Sequence, residues 1–184
     1  MPKKFAEANF RNFEFNESDG VPKEYGVTCY HWAQGKYAEN CLILCGNIGN
    51  GKTHLAISAM KEVFAIRTGQ SLFIPSGELF EQLIVSTYNH DNKVENIKSL
   101  VHLYDCLCID GLERRHFTEA SIENLYLLIN RVYLENSKLI ITTNLAPEVF
   151  KELDERIYSR LHEMSIILPF KWDDYRMREK IAYS

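Results

Sequence analysis

The chain has 184 residues, of which 46% are hydrophobic and 25% charged, and its net charge is −4. This length favours one domain with one core, and no stretch has the roughly 18 apolar residues that a membrane span requires. The net charge excludes a broad basic coat for nucleic acid but not a local basic patch. The basic start, Met1-Pro2-Lys3-Lys4-Phe5, has no apolar segment after it, so it is not a signal peptide and we expect a cytoplasmic protein.

The cysteines form no Cys-x-x-Cys pair and lack the histidine spacing of a zinc site. They are Cys29, Cys41, Cys45, Cys106 and Cys108. The last four stand in apolar runs, which predicts that they are small core residues in a reducing compartment rather than metal ligands.

Residues 1–40 mix aromatic and polar side chains, with Gly20 and Pro22 interrupting them. We predict that this region is an N-terminal strap that packs on the core, with a short helix around Lys36. From residue 41 to residue 184, short apolar runs alternate with segments of helical period. This alternation predicts a parallel sheet flanked by helices.

The predicted strands are Cys41–Cys45, Ser71–Pro75, Cys106–Asp110, Lys138–Thr143 and Met164–Leu168. The predicted helices are Lys52–Thr68, Ser76–Tyr88, Val94–Leu103 and Thr118–Glu135. The second and third helices are inserted before the third strand.

A glycine-rich loop follows the first predicted strand and opens a helix. It reads Gly46-Asn47-Ile48-Gly49-Asn50-Gly51-Lys52-Thr53 and matches every position of the phosphate-loop pattern. Its glycines let backbone N–H groups surround phosphates, at the positive end of the helix dipole. Lys52 is predicted to bridge the β- and γ-phosphates of ATP and Thr53 to bind Mg²⁺, and the following His54 joins the predicted nucleotide-binding set. A glycine-rich turn without a ligand is the alternative.

Asp110 ends the apolar strand Cys106–Asp110, which we predict to neighbour the first strand. A carboxylate that leaves a buried strand beside the loop can hold Mg²⁺ through its water shell. A helix or turn cap is the alternative role.

A polar tip, Thr143 and Asn144, follows the strand Lys138–Thr143. It points to the carboxyl edge of the sheet, where ligands bind in open α/β folds. An amide there can orient water and sense the γ-phosphate. A turn asparagine is the ordinary alternative.

Arg156 and Arg160 stand four residues apart on one predicted helix face, from which both can project toward a neighbouring subunit. An arginine supplied across an interface stabilises a transferring phosphoryl group, with effects of about 10³–10⁵ in rate. Salt bridges to Glu152 or Glu155 are the alternative.

The order of these segments resembles that of the AAA+ ATPases, and in detail that of DnaC-type helicase loaders and their IstB-type transposition relatives. The resemblance is carried by GNIGNGKT, CLCIDGLE, LIITTNL, ERIYSRL and the closing FKWDDYR. It implies a P-loop NTPase fold of three layers, with a central five-stranded parallel sheet flanked by helices and little or no C-terminal lid domain. Residues 41–184 would be the ATPase core, with ATP or ADP and Mg²⁺ as cofactors.

The same resemblance implies roles for single residues. Asn144, and less surely Thr143, corresponds to the γ-phosphate sensor, and Arg160 to the arginine finger, with Arg156 as its companion. Arg176 in the closing tail matches an arginine that contacts nucleotide in cis.

Two departures from the family limit these implications. Gly111 stands where the family has a second acid that activates water, so ATP hydrolysis is expected to be weak, with Glu113 as a substitute base. Only about forty residues precede the loop, where DnaC-type loaders carry a helicase-binding region. The chain is a naturally short form, has lost that region, or uses the strap for docking.

The resemblance implies single-stranded DNA as a partner, bound by the inserted helices, where Tyr88, Lys93 and Lys98 are candidate contacts; solvated lysines are the alternative. We expect a loader of a DnaB-type replicative helicase that forms ATP-dependent homo-oligomers. The alternatives are a helper ATPase that acts with a transposase, a hydrolysis-poor nucleotide-dependent scaffold or inhibitor, and a small-molecule kinase, which would need an arginine-rich lid that the sequence lacks.

Overall fold

Five parallel strands form one sheet, with the order β2-β3-β4-β1-β5. The structure is a computed structural model that describes residues 3–15, 22–67, 69–88 and 93–172, and only the backbone of 84–88 and 93–95. The strands are β1 (Cys41–Gly46), β2 (Ser71–Pro75), β3 (Cys106–Leu112), β4 (Lys138–Thr143) and β5 (Ser165–Phe170). Because every pair is parallel, all the carboxyl ends meet at one edge, which is where this fold binds ligands.

Helices cover both faces of the sheet. They are α1 (Lys23–Ala33), α2 (Lys52–Arg67), α3 (Ser76–Tyr88), α4 (Lys93–Leu103), α5 (Glu119–Glu135), α6 (Glu148–Leu153) and α7 (Glu155–Met164), with short 3-10 turns at Lys3–Phe5 and Arg114–His116. None of the helices in the described part of the chain combines the length and the apolarity needed to cross a lipid bilayer.

Alternate residues of β1 belong to different halves of the core. Leu42 and Leu44 pack with α1, α2 and the aromatic side chains of residues 3–15. Cys41, Ile43 and Cys45 pack with α3, α4, α5, α6 and α7. A strand that is covered on both faces reads as one continuous apolar run, which is why CLILC shows no alternation. The predicted three-layer α/β fold with a five-stranded parallel sheet is confirmed.

The cysteines lie in these two core clusters, as predicted for four of them, and Cys29 is buried as well. Burial raises the pKa of the Cys41 thiol to about 12, so it stays protonated at neutral pH. These cysteines act as small apolar side chains.

The prediction of a short helix around Lys36 is wrong, because the helix lies earlier in the chain. Helix α1 begins after Pro22 and ends at Ala33. Gly35 has φ 72°, a left-handed conformation that closes the helix. The backbone N–H groups of Gly35 and Lys36 donate to carbonyl groups of the last turn, so Lys36 follows the helix.

Residues 3–15 run across α2, where one lysine ties down their backbone. Lys61 Nζ donates to the carbonyl oxygen of Ala8 at 2.8 Å and also to that of Ala6. Phe5, Phe10, Phe13 and Phe15 pack against the α1–α2 half of the core. Apolar burial and a charge-assisted hydrogen bond therefore hold this segment on the core.

A buried lysine connects β4 to α1. Lys138 Nζ donates to Trp32 O at 2.8 Å and lies 4.0 Å from the centroid of the indole ring. The side chain is only 5% exposed. Burial lowers the pKa of Lys138 from its ordinary value of 10.5 to about 8, so the charged form costs stability at neutral pH.

This pKa predicts the pH dependence of stability. Between about pH 8 and pH 10.5, Lys138 is protonated in the unfolded chain but not in the folded one, so stability rises with pH in this window. Below about pH 8 the folded protein carries the full cost of burying a charged Lys138. We expect the wild type to gain stability relative to Lys138→Met between pH 8 and pH 10, as measured by urea unfolding. Parallel pH curves for the two proteins would contradict this pKa.

Candidate functional site

The glycine-rich loop Gly46–Thr53 lies at the carboxyl edge of the sheet, between β1 and α2. Gly46 has φ 128°, and a Cβ there would lie 2.1 Å from Phe170 O. Gly51 has φ 92°, and a Cβ there would lie 2.6 Å from the ring of Phe13. A larger residue is strained at both positions because of the positive φ, and at Gly46 its Cβ would also clash with the backbone at the end of β5.

Lys52 Nζ lies inside the loop. It donates to Gly46 O at 2.7 Å, to Asn50 Oδ1 at 2.9 Å and to Asn47 O. Lys52 is also the first residue of α2, so the positive end of a 16-residue helix lies beside its ammonium group. An ammonium group surrounded by loop oxygens is well placed to exchange some of them for phosphate oxygens, so the loop fits a nucleotide.

One carboxylate oxygen joins the loop to two strands. Asp110 Oδ1 accepts hydrogen bonds from Thr53 Oγ1 at 2.8 Å and from Thr142 Oγ1 at 2.7 Å. Hydroxyl and carboxylate oxygens are the ligands that Mg²⁺ prefers, so Thr53 and Asp110 form a set that fits this ion. The ion would supply positive charge beside the phosphates.

The predicted adjacency of the Asp110 strand to β1 is wrong, because β4 lies between β3 and β1. After β1 the chain crosses to β2 at the far edge and returns through β3 and β4. Asp110 still reaches Thr53, and Thr142 at the end of β4 bridges the gap.

Thr142 was not predicted as a site residue, and a β-bulge explains its position. The pairs Ile109–Ile141 and Leu112–Thr143 leave Asp110 and Gly111 opposite the single residue Thr142. Its hydroxyl donates to Asp110 and accepts from Gly111 N at 2.9 Å. The two threonines in LIITTNL were the only sequence signal, because a bulge has no reliable pattern of its own.

The other polar residues at the end of β4 differ in their surroundings. The buried Thr143 Oγ1 donates to Leu112 O at 2.6 Å and accepts from Leu145 N at 3.0 Å. Asn144 is exposed directly after the strand. Backbone groups therefore occupy Thr143, and Asn144 stays the better candidate for a nucleotide sensor.

Gly111 and Glu113 follow Asp110 in the bulged segment. Gly111 has φ 71°, and no atom lies within 4 Å of an added Cβ. Its carbonyl oxygen accepts a hydrogen bond from Ser76 Oγ at 2.7 Å. Glu113 Oε2 lies 2.7 Å from Arg115 Nε, so its carboxylate is paired with a cation.

His54 contacts the strap. Its Nε2 lies 3.0 Å from Asn9 O and 3.0 Å from Asn12 Oδ1, and its ring meets Phe13 edge-on. These contacts give His54 a role in fixing residues 9–13 beside the loop. Its predicted contact with nucleotide stays a prediction.

Phe170 at the end of β5 and the following Trp172 support the loop through Asn50. Asn50 is buried, and its Nδ2 donates to Phe170 O at 2.9 Å. Trp172 Nε1 donates to Asn50 O at 3.0 Å. The rings of Phe170 and Trp172 lie 4.6 Å apart, so an aromatic pair carries this support. Ile48 at the tip of the loop is 61% exposed.

Arg156 and Arg160 both lie on α7, with different partners. Arg156 pairs with Asp154 at 2.7 Å and Glu123 at 3.4 Å, rather than with Glu152 or Glu155. The hydrogen bonds from Arg156 lower the pKa of Asp154. Arg160 Nε donates to Asn130 Oδ1 at 2.8 Å.

Three predicted positions are not among the described side chains. Arg176 lies outside the described residues, as do the side chains of Tyr88 and Lys93. Lys98 is half-buried on α4. The predicted DNA contacts of the inserted helices therefore stay predictions.

Thr142→Val tests the junction at Asp110. It removes both hydrogen bonds of the hydroxyl, which costs about 1–3 kcal/mol of stability. Loss of a group that orients a metal ligand also weakens metal-dependent binding by about 10–100-fold. We expect ATP affinity to fall to this extent in Mg²⁺ but only slightly in EDTA, as measured by calorimetry.

Thr143→Val is the matched control, because it also removes two hydrogen bonds of a buried hydroxyl, neither of which involves Asp110. It should lower stability and leave the effect of Mg²⁺ unchanged. Equal loss of Mg²⁺-dependent affinity in both variants would show that Thr142 has no special position.

Comparisons with known proteins agree with this geometry. The family model for the bacterial DnaA ATPase domain matches residues 6–167. The chromosomal replication initiator protein DnaA of Mycoplasma genitalium is 24% identical over 152 residues, which are 82% of this chain and 34% of that protein. The chain thus spans about a third of the length of the curated DnaA relatives that it matches.

Solved structures share the fold at low sequence identity. The DnaC helicase loader superposes with a TM-score of 0.75 at 21% identity, covering 92% of this chain and 100% of that one. The replication initiator DnaA bound to AMPPCP and single-stranded DNA superposes with a TM-score of 0.71 at 17% identity, covering 91% of this chain and 51% of that one.

The predicted resemblance to AAA+ proteins of the DnaC type is therefore confirmed. The matched region contains the loop, the bulged strand with Asp110 and the helix with Arg160. The chain belongs to the bacterial DnaA ATPase-domain family.

Proposed function

We propose that this chain binds ATP with Mg²⁺ at Gly46–Thr53 and acts in DNA replication as a cytoplasmic loader of a DnaB-type replicative helicase. In this proposal ATP joins copies of the chain into a homo-oligomer that holds single-stranded DNA. The observation that carries it is the junction of Thr53, Asp110 and Thr142 beside Lys52. Oxygen ligands for a cation and an ammonium group for phosphates meet there at one edge of the sheet.

The site supports nucleotide binding through two kinds of group. Lys52 and the loop N–H groups supply positive charge and donors to the phosphates. Thr53 and Asp110 supply a pair of oxygen ligands for Mg²⁺. In such sites the ion bridges phosphate groups of the nucleotide. The similar DnaA structure with bound AMPPCP supports the same assignment.

Relatives support the role in replication. The matched DnaA proteins are replication initiators, and the DnaC chain, which is covered over its full length, is a helicase loader. The DnaA neighbour with single-stranded DNA supports that class of partner. A transposition helper is the competing role, and a pull-down with helicase and transposase separates the two.

Gly111 favours a second candidate function, a nucleotide-dependent scaffold or inhibitor that holds ATP with little turnover. General base catalysis contributes about 10²–10⁴-fold in rate, and position 111 has no side chain that can provide it. Glu113 is paired with Arg115. Binding and assembly do not need this base, so both functions share the same site.

The proposed function predicts that ATP drives assembly of the chain into oligomers. Light scattering should show larger particles when a non-hydrolysable ATP analogue and single-stranded DNA are added. Lys52→Ala and Arg160→Ala should stay monomeric, because the first loses phosphate contacts and the second a charge supplied to the neighbouring copy.

Arg67→Ala is the control for loss of one arginine. Arg67 is the last residue of α2, at the end of this helix away from the loop. It should assemble like the wild type. A wild-type chain that stays monomeric with the analogue and DNA present would contradict the proposed function.

The proposed function also predicts that the missing acid at position 111 limits ATP hydrolysis. Gly111→Asp places a carboxylate beside Asp110, where an added Cβ meets no atom within 4 Å. Aspartate accepts the left-handed backbone at a cost of about 1–2 kcal/mol. We expect single-turnover ATP hydrolysis to rise by about tenfold or more.

Gly111→Asn has nearly the same shape and backbone preference but no base, so it should leave the rate unchanged. Glu113→Gln should also leave the rate unchanged within about twofold, a margin small against a general base's contribution. A large loss in Glu113→Gln would show that Glu113 is the base after all.

A further inference from the structure

One face of α5 holds both arginines of α7. The face consists of Glu123, Tyr126, Asn130 and Tyr133, which we call the α5 stripe. Its members are spaced by three, four and three residues, so they line up along the helix. Arg156 and Arg160, four residues apart on α7, lie against it.

The ring of Tyr126 is common to both arginines. The guanidinium carbon of Arg156 lies 3.9 Å from its centroid, and that of Arg160 lies 5.2 Å from it. Both distances are within the range of cation–π attraction. The ring of Tyr133, 5.8 Å from Arg160, borders the same guanidinium.

The two arginines differ in charge balance. Arg156 pairs with the carboxylates of Asp154 and Glu123. Arg160 Nε donates to the neutral Asn130 Oδ1 at 2.8 Å, and its Nη1 donates to Arg156 O at 3.2 Å. Within the described residues no carboxylate pairs with Arg160. Its guanidinium is thus held by neutral acceptors, and the nearby Glu163 carboxylate accepts a hydrogen bond from Tyr133 Oη at 3.0 Å instead.

We propose that Tyr126 and Asn130 are positioning residues, which orient Arg160 toward the nucleotide phosphates bound by the loop of a neighbouring copy. This inference rests on the proposed function, in which Arg160 acts between copies. A long arginine side chain loses rotamer freedom when it binds an anion, so holding it beforehand strengthens the contact. A neutral amide suits this task, since a carboxylate at position 130 would cancel the charge.

Arg156 has a supporting part in this arrangement. Its two carboxylate partners fix it over Tyr126, and its carbonyl oxygen accepts a hydrogen bond from Arg160. The stripe therefore separates the two arginines: Arg156 is ion-paired within the chain, whereas the partly exposed Arg160 is held by neutral acceptors and can pair with an anion of a neighbouring copy.

The test compares variants of the α5 stripe in the presence of a non-hydrolysable ATP analogue. The readout is the protein concentration at which half of the chains have assembled. Tyr126→Leu removes the ring, and Asn130→Leu removes the acceptor while keeping a side chain of the same branched shape. We expect each to raise this concentration by about tenfold, in the direction of Arg160→Ala. Tyr126→Phe keeps the ring and should assemble like the wild type. ATP affinity of each monomer should stay unchanged, because the stripe does not touch its own loop.

Mixing two defective chains separates positioning from loss of structure. Lys52→Ala keeps Arg160 and its stripe but has a defective loop, whereas Tyr126→Leu keeps its loop. At a concentration where neither assembles alone, the mixture should form analogue-dependent pairs, with the loop of the Tyr126→Leu chain facing Arg160 of the Lys52→Ala chain. A chain that is merely damaged would gain nothing from this partner.

The outcomes distinguish this inference from the proposed function. Wild-type assembly of Tyr126→Leu and Asn130→Leu, with Arg160→Ala defective, would overturn the positioning role alone. Failure of the mixture to form pairs would also overturn it. Wild-type assembly of Arg160→Ala would overturn the proposed function itself.

Discussion

The candidate site depends on one carboxylate oxygen, Oδ1 of Asp110. Hydroxyl groups from the start of α2 and the end of β4 both donate to it, so a helix, a bulged strand and the strand between β3 and β1 meet at one atom. Hydrogen bonds to an ionised acceptor are about twice as strong as neutral ones. This atom fixes Asp110 relative to the glycine-rich loop, although β4 separates β3 from β1.

The opposite side of the loop is held by apolar contacts and by Asn50. The end of β5 supports Asn50 through Phe170 and Trp172, and the strap covers Gly51 with Phe13. The loop is thus held on one side by the hydrogen bonds to Asp110 and on the other by Asn50 and Phe13, and Lys52 lies between these two sets of contacts. Rigid support of this kind favours binding, because little conformational freedom remains to be lost.

Much of this architecture was predictable from sequence. Strands covered on both faces leave continuous apolar runs, so the fold was identified correctly. The glycine-rich loop also lies between a strand and a helix, as its pattern predicts. The strand bounds agree within about two residues, the usual uncertainty of element ends. Helix α1 was misplaced because aromatic residues spread over both sides of it hide its period, whereas Gly35 marked its end.

The remaining errors concern relations between distant segments. The strand order, which puts β4 beside β1, depends on how crossovers pack, and no local pattern encodes it. The bulge at Asp110 and Gly111 likewise appears only when β3 pairs with β4, and Thr142 owes its position to that bulge. The α5 stripe was also hidden, because Tyr126 and Asn130 look like ordinary surface residues until α7 lies against them.

The central claim is that Lys52, Thr53 and Asp110 hold ATP and Mg²⁺, and a crystal structure with a non-hydrolysable ATP analogue and Mg²⁺ tests it most directly. We expect Lys52 Nζ to leave the carbonyl oxygens of Gly46 and Asn47 for phosphate oxygens. The ion should lie about 2.1 Å from Thr53 Oγ1, with Asp110 in contact through its water shell. A nucleotide bound elsewhere, or Lys52 unchanged on the loop carbonyls with the analogue present, would contradict the account.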